Sequence, residues 1–171
     1  MQEGTARSME GPMVFAMFRW SLVTLALALL ATSGLANESD ALARLQKVAP
    51  DHTWDRATAL KIDIDSDGKP DYVFLSQDSK SATVGLVLGQ SGRRVLVQSF
   101  PIGDPSQDSL CAAPVRIAKE SLDYDPADAA REVAGFRRSS VGVAFFLGGG
   151  ECDVFHFFWN TETKKLDGWR L

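Results

Sequence analysis

From Ala57 onward the chain repeats one pattern. A short run rich in β-branched and aromatic residues is followed by a cluster that turns the backbone. The first four runs are ATALKIDI, DYVFLSQ, ATVGLVLG and RRVLVQSF, and the breaks between them are DSDGKP, QDSKS and GQSG. A new run starts about every ten residues, which is the spacing of antiparallel hairpins. The pattern resumes later as VRIAKESL, SSVGVAFFLG, ECDVFHFFWN and TKKLDGWRL, with GGGE joining the two longest. These runs predict a mainly β chain: a single antiparallel β domain, either a sandwich or a curled sheet of hairpins. Two helices are expected beside it. NESDALARLQKV places Ala41, Leu42, Leu45 and Val48 at helical spacing, with Ser39 or Asp40 as the cap and Pro50 as the stop. A short helix is expected near 126–134, with Asp125 as N-cap, Pro126 at its first position and Gly135 as its end.

The segment before the first helix reads FRWSLVTLALALLATSGLA. Arg19 supplies a positive flank, Leu22 to Leu30 an apolar core, and Gly34 and Ala36 the small residues of a cleavage site. This is the pattern of a secretory signal peptide over residues 1–36, with Met17 as an alternative start. The apolar part falls short of the roughly 20 residues of a permanent span, so no membrane anchor is expected. The expected product, residues 37–171, is exported to the periplasm. Residues 1–36 carry two charges of each sign, so the product keeps the net charge of −4. It has no basic stripe, and nucleic acid is not an expected partner. In an exported chain the two cysteines, Cys111 and Cys152, are read as a disulfide; a reactive thiol is the alternative.

DIDSDGKPD is the most chemically loaded stretch. Asp63, Asp65 and Asp67 stand at alternate positions, Gly68 lets the backbone turn, Lys69 can offer its carbonyl, and Asp71 closes the set. Calcium collects six to eight oxygens, chiefly from carboxylates and carbonyls. The expected site is therefore Asp63, Asp65, Asp67, Lys69 and Asp71 around a structural calcium ion. An acidic hairpin turn without an ion is the alternative. The twelfth position is Phe74 and a strand follows, so this is no EF-hand. D-x-D-x-D-G-x-x-D running into a strand resembles the calcium loops of FG-GAP and VCBS repeats. One copy, over residues 63–75, does not make a propeller.

Catalysis finds little support. His52 and His156 are the two histidines. On an alternating strand Cys152, Val154, His156 and Phe158 share one side, with Asp153, Phe155, Phe157 and Trp159 on the other. A Cys152–His156 dyad is excluded by oxidation of Cys152, and Asp153 faces away from His156. FLGGGECD lacks the Lys and Ser/Thr of a phosphate loop. Trp159 and Trp169, with Phe155 to Phe158, are read as β core and edge packing, with a carbohydrate face as the alternative. The chain is not expected to be an enzyme.

PIGDPSQDSLCAAP, residues 101–114, interrupts the strand rhythm. Its prolines stiffen it, Cys111 anchors it, and Gln107, Asp108, Ser109 and Leu110 are placed at its tip. A short loop ordered in advance on a rigid scaffold is how protein inhibitors limit the entropy lost on docking; an ordinary surface connection is the alternative. The signal peptide, the single Asp-rich loop, the late cysteine pair and SQDSLC together resemble the periplasmic immunity proteins of type VI secretion that neutralise a peptidoglycan amidase effector. Such effectors are cysteine–histidine hydrolases whose cleft the immunity protein occludes. The resemblance implies that Ser109 meets the effector's catalytic histidine while Gln107, Asp108 and Leu110 fill the groove. A calcium-dependent surface or adhesion module is the competing expectation.

Overall fold

The computed structural model describes residues 33–89, 94–129 and 131–171. The leader expected over 1–36, including Met17, lies almost wholly outside them, as does most of the GQSG turn. The order is helix α1 (Ser33–Val48), strands β1 (Asp55–Ile62), β2 (Asp71–Gln77), β3 (Ser81–Val87), β4 (Val95–Pro101) and β5 (Val115–Leu122), helix α2 (Pro126–Ala129), then β6 (Ser139–Gly149), β7 (Phe155–Asn160) and β8 (Lys165–Trp169), and from Glu38 onward these elements form one unit. Each set of four strands forms its own antiparallel meander, β1-β2-β3-β4 and β5-β6-β7-β8. The fold is the expected mainly β architecture, built as two sheets.

The two sheets share one core. Val73 and Leu75 of β2, Val84 and Leu86 of β3 and Phe100 of β4 pack into the same cluster as Val115, Ile117, Phe145, Leu147, Phe157 and Trp159 of the second sheet. Phe145 and Phe157, register partners on β6 and β7, stack with centroids 4.9 Å apart. The other face of the first sheet is covered too. Tyr72, Phe74 and Val87 pack with Ala41 and Leu45 of α1 and with Trp54. Alternate residues of β2 thus point into two different apolar layers, so six of its seven residues are buried. Helix and sheet meet closely at Gly85, where a Cβ would lie 2.5 Å from Leu45 Cδ2.

At one side the sheets are stitched together. The Gln77 amide donates to Val115 O (3.2 Å) and accepts from Val115 N (2.8 Å), tying the end of β2 to the start of β5. The expected Cys111–Cys152 disulfide is present, with Cα atoms 5.9 Å apart. It fastens the long loop to the turn before β7. The GGGE glycines make that approach possible: a Cβ on Gly149 would sit 2.4 Å from the Ala112 carbonyl, and Gly150 has φ 74°.

Several boundaries differ from expectation. α1 begins at Ser33, so Ser39 and Asp40 lie within the helix and neither is its cap. β7 begins at Phe155 rather than Glu151, because residues 151–154 belong to the turn fastened by Cys152. The helix expected over 126–134 is the four residues Pro126–Ala129, and 131–134 are not helical. The cap is as expected, with Asp125 Oδ1 accepting from Ala127 N (2.9 Å). Beyond it the chain turns at Gly135 (φ 76°), and Phe136 packs against Tyr124 and Phe158 on the outer face of the second sheet. That packing outweighs a weak helical propensity.

Candidate functional site

The acidic turn lies between β1 and β2. Ser66 (φ 57°) and Gly68 (φ 79°) take left-handed conformations that fold the backbone over its own carboxylates. Asp63 accepts from Asp67 N at Oδ1 and from Gly68 N at Oδ2, both at 3.0 Å. Asp65 Oδ1 accepts from Asp67 N at 3.2 Å. Asp71, on the first residue of β2, is 0% exposed. Its Oδ2 accepts from Ile64 N and its Oδ1 from Gly89 N, both at 2.8 Å.

One carboxylate oxygen from each of Asp63, Asp65 and Asp71 falls within 4.8 Å of the others. Like charges so close, one of them buried, disfavour ionisation. Burial is the main reason the Asp71 carboxyl is raised to about 6, with the Asp65 charge adding to it and the backbone N–H groups of Gly89, Ile64 and Asp65 opposing it. A divalent cation at the centre relieves both causes. Of the five expected ligand residues, the structure gathers these three. Asp67 turns its Oδ1 to Lys69 N (2.8 Å), and both Asp67 and Lys69 are exposed.

The 101–110 segment is a compact turn. Ile102 and Leu110 form an isolated bridge, Gly103 N donates to Leu110 O (2.7 Å) and Leu110 N to Pro101 O (2.8 Å). The Ser109 hydroxyl sits inside. It lies in donor range of Pro101 O (3.0 Å) and Leu110 O (3.1 Å), and it accepts from Asp104 N (3.1 Å). From β8's end, Arg170 Nη1 donates to the carbonyls of Gln107 (3.0 Å) and Ser109 (2.7 Å). The guanidinium also lies 4.8 Å from the centroid of Phe155.

This geometry corrects the tip expected from the sequence. Gln107 and Asp108 are exposed, whereas Ser109 is 3% and Leu110 2% exposed. Leu110 belongs to the shared core, and the serine hydroxyl is spent on three backbone partners. In this conformation Ser109 cannot meet a partner's histidine; it is the internal tie of the turn. Arg170 clamps the same turn independently, and sequence reasoning missed it because a basic residue after a strand gives no sign of the carbonyls it will reach.

A second polar cluster was also missed. His156 Nδ1 is 2.8 Å from Glu120 Oε1, and its ring stacks on Trp169 at 4.3 Å. Burial and the Glu120 charge push the Tyr124 hydroxyl beside them up to about 12. Glu120 shares the outer face of β5 with Ala118 and Leu122, a period-two pattern that marks it as a strand residue but not as a histidine partner.

No protein-family model, curated protein or solved structure matches this chain.

Proposed function

We propose that this domain acts outside the cytoplasm as an obstructing binding protein, with the exposed turn 103–108 entering the cleft of a partner hydrolase. By the resemblance carried in its sequence, that partner is a peptidoglycan amidase effector of type VI secretion. One observation supports the reading most directly: the turn is ordered before any partner arrives. The disulfide, the Ser109 hydroxyl and the Arg170 clamp hold it, so Gln107 and Asp108 dock with little loss of conformational entropy. The contact set is Gln107 and Asp108, with Ser109 and Leu110 supporting them from beneath.

Calcium is the ion proposed for Asp63, Asp65 and Asp71, since an all-oxygen set suits a hard cation. Its place is structural, closing the β1–β2 turn. The same triad favours the calcium-dependent adhesion reading, and chelation separates the two. An adhesion module loses partner binding in EGTA, whereas an obstructing protein keeps binding and loses stability.

Asp108→Lys tests the contact directly. Asp108 is exposed, so the melting temperature is expected to change little. Protection of cells co-expressing the effector is expected to fall by at least about tenfold, the effect of losing roughly 1.4 kcal/mol at an interface. Full protection by this variant would remove the turn from the contact.

A further inference from the structure

We propose that the mouth between β4 and β8, which adjoins the 103–108 turn at Gln107 and Asp108, is a further recognition surface, which takes an extended acidic segment of a partner protein as a strand added to β4. It does not depend on the role given to the 103–108 turn. The two sheets are stitched through Gln77 and Val115, and at the opposite side β4 and β8 are the last strands of their sheets. Neither has a second strand partner among the described residues; Pro101 O at the end of β4 is taken by Leu110 N of the following turn, and the strand before it offers an unpaired edge of backbone N–H and C=O groups, as does β8.

The two edges run in the same direction, because arginines join them at matching ends. Arg94, just before β4, donates to Lys164 O just before β8 (2.8 Å). Arg170, just after β8, holds the turn that follows β4. Between these clamps lie two clefts of about 830 and 400 Å³, which share Gln98, Phe157 and Leu166 and so form one groove. Phe100, Phe155, Phe157 and Leu166 give it an apolar floor. The five residues of β8 set its length at about 17 Å, enough for roughly five residues of extended guest chain.

Two observations identify the guest. β4 reads VLVQSFP; apart from the proline that ends it, it carries none of the Lys residues or inward charges that ordinarily protect a solvent-facing edge. An unprotected edge is one kept open for pairing. Around the mouth stand Arg94, Arg131, Lys165 and Arg170, and none of them forms an ion pair with a carboxylate among the described residues. Against them are Asp108 and Asp167, the latter already accepting from Asn160 Nδ2 (2.7 Å). On a chain of net charge −4, this surplus of cations without a carboxylate partner selects acidic side chains. A segment alternating apolar and acidic residues fits: apolar side chains meet the floor and carboxylates reach the rim.

The test uses the domain labelled for amide NMR and three blocked hexapeptides. One alternates Val/Leu with Glu, one has Lys for each Glu, and one is the Glu peptide N-methylated at alternate residues to abolish strand pairing. The Glu peptide is expected to bind, shift the amides of residues 95–100 and slow the exchange of those on the open edge of β4. The Lys and N-methyl peptides are expected to bind at least about tenfold more weakly, as is the Glu peptide to Lys165→Glu, an exposed change whose fold is checked by its melting temperature. No binding of the Glu peptide, equal binding of the Lys or N-methyl peptide, or shifts confined to residues 103–108 would each overturn the proposal.

Discussion

Removing the disulfide, as Cys111→Ala with Cys152→Ala, is expected to lower stability by about 4 kcal/mol, the chain-entropy value for closing a loop of this length. The cysteines are 41 residues apart, and the loop they close holds β5 and β6, half of the second sheet. Freed from the bond, the unfolded chain gains conformations that the folded chain cannot use. The folded state loses something local as well, because Cys111 adjoins the Ser109–Leu110 tie and holds it against the turn before β7. Urea unfolding at pH 7 measures the effect. A loss under about 1 kcal/mol would mean that the hydrogen bonds of Ser109 and Arg170 order the turn without help.

The second large effect is expected at the acidic turn, where pH and calcium oppose each other. Asp71 titrates near 6 in the folded chain and near 3.8 when unfolded. A raised carboxyl pKa means that the folded state holds the proton more tightly. The resulting stability is fully present below pH 4 and is lost as pH rises through 6. Without a cation this group alone is expected to cost on the order of 3 kcal/mol between pH 4 and pH 7. Calcium reverses the trend by holding the carboxylates charged. At a concentration one hundred times its dissociation constant it is expected to add about 2.7 kcal/mol at pH 7, and less as pH falls toward 6. Asp65→Ala removes the calcium response. Asp71→Asn is expected to destabilise the chain in EGTA as well, because an amide has one acceptor oxygen for the two buried N–H groups of Ile64 and Gly89. Melting curves in EGTA and in calcium at several pH values give both results. A calcium-insensitive melting point at pH 7 would leave the triad a turn device only.

The strand pattern was legible because period-two alternation and turn residues act locally. DYVFLSQ and VRIAKESL coincide with β2 and β5. The second face of the first sheet was not legible, since a strand buried on both sides reads as a plain apolar run, and only α1 docking on Gly85 shows what covers it. At the acidic turn the spacing revealed Asp63, Asp65 and Asp71. It could not show that Asp67 would cap Lys69 N, a choice made by the left-handed residues Ser66 and Gly68. At the long loop, polarity suggested exposure for all four residues from 107 to 110. The side chains of Ser109 and Leu110 turn inward because Leu110 fills the shared core and the buried serine hydroxyl finds its own partners in Pro101 O, Leu110 O and Asp104 N.

The obstruction account is tested most directly by titrating a type VI peptidoglycan amidase with residues 37–171 while following cleavage of its cell-wall peptide substrate. The account predicts inhibition that saturates at one domain per enzyme, persists in EGTA below the melting temperature, and is weakened by Asp108→Lys. Undiminished cleavage at a large excess of folded domain would contradict it.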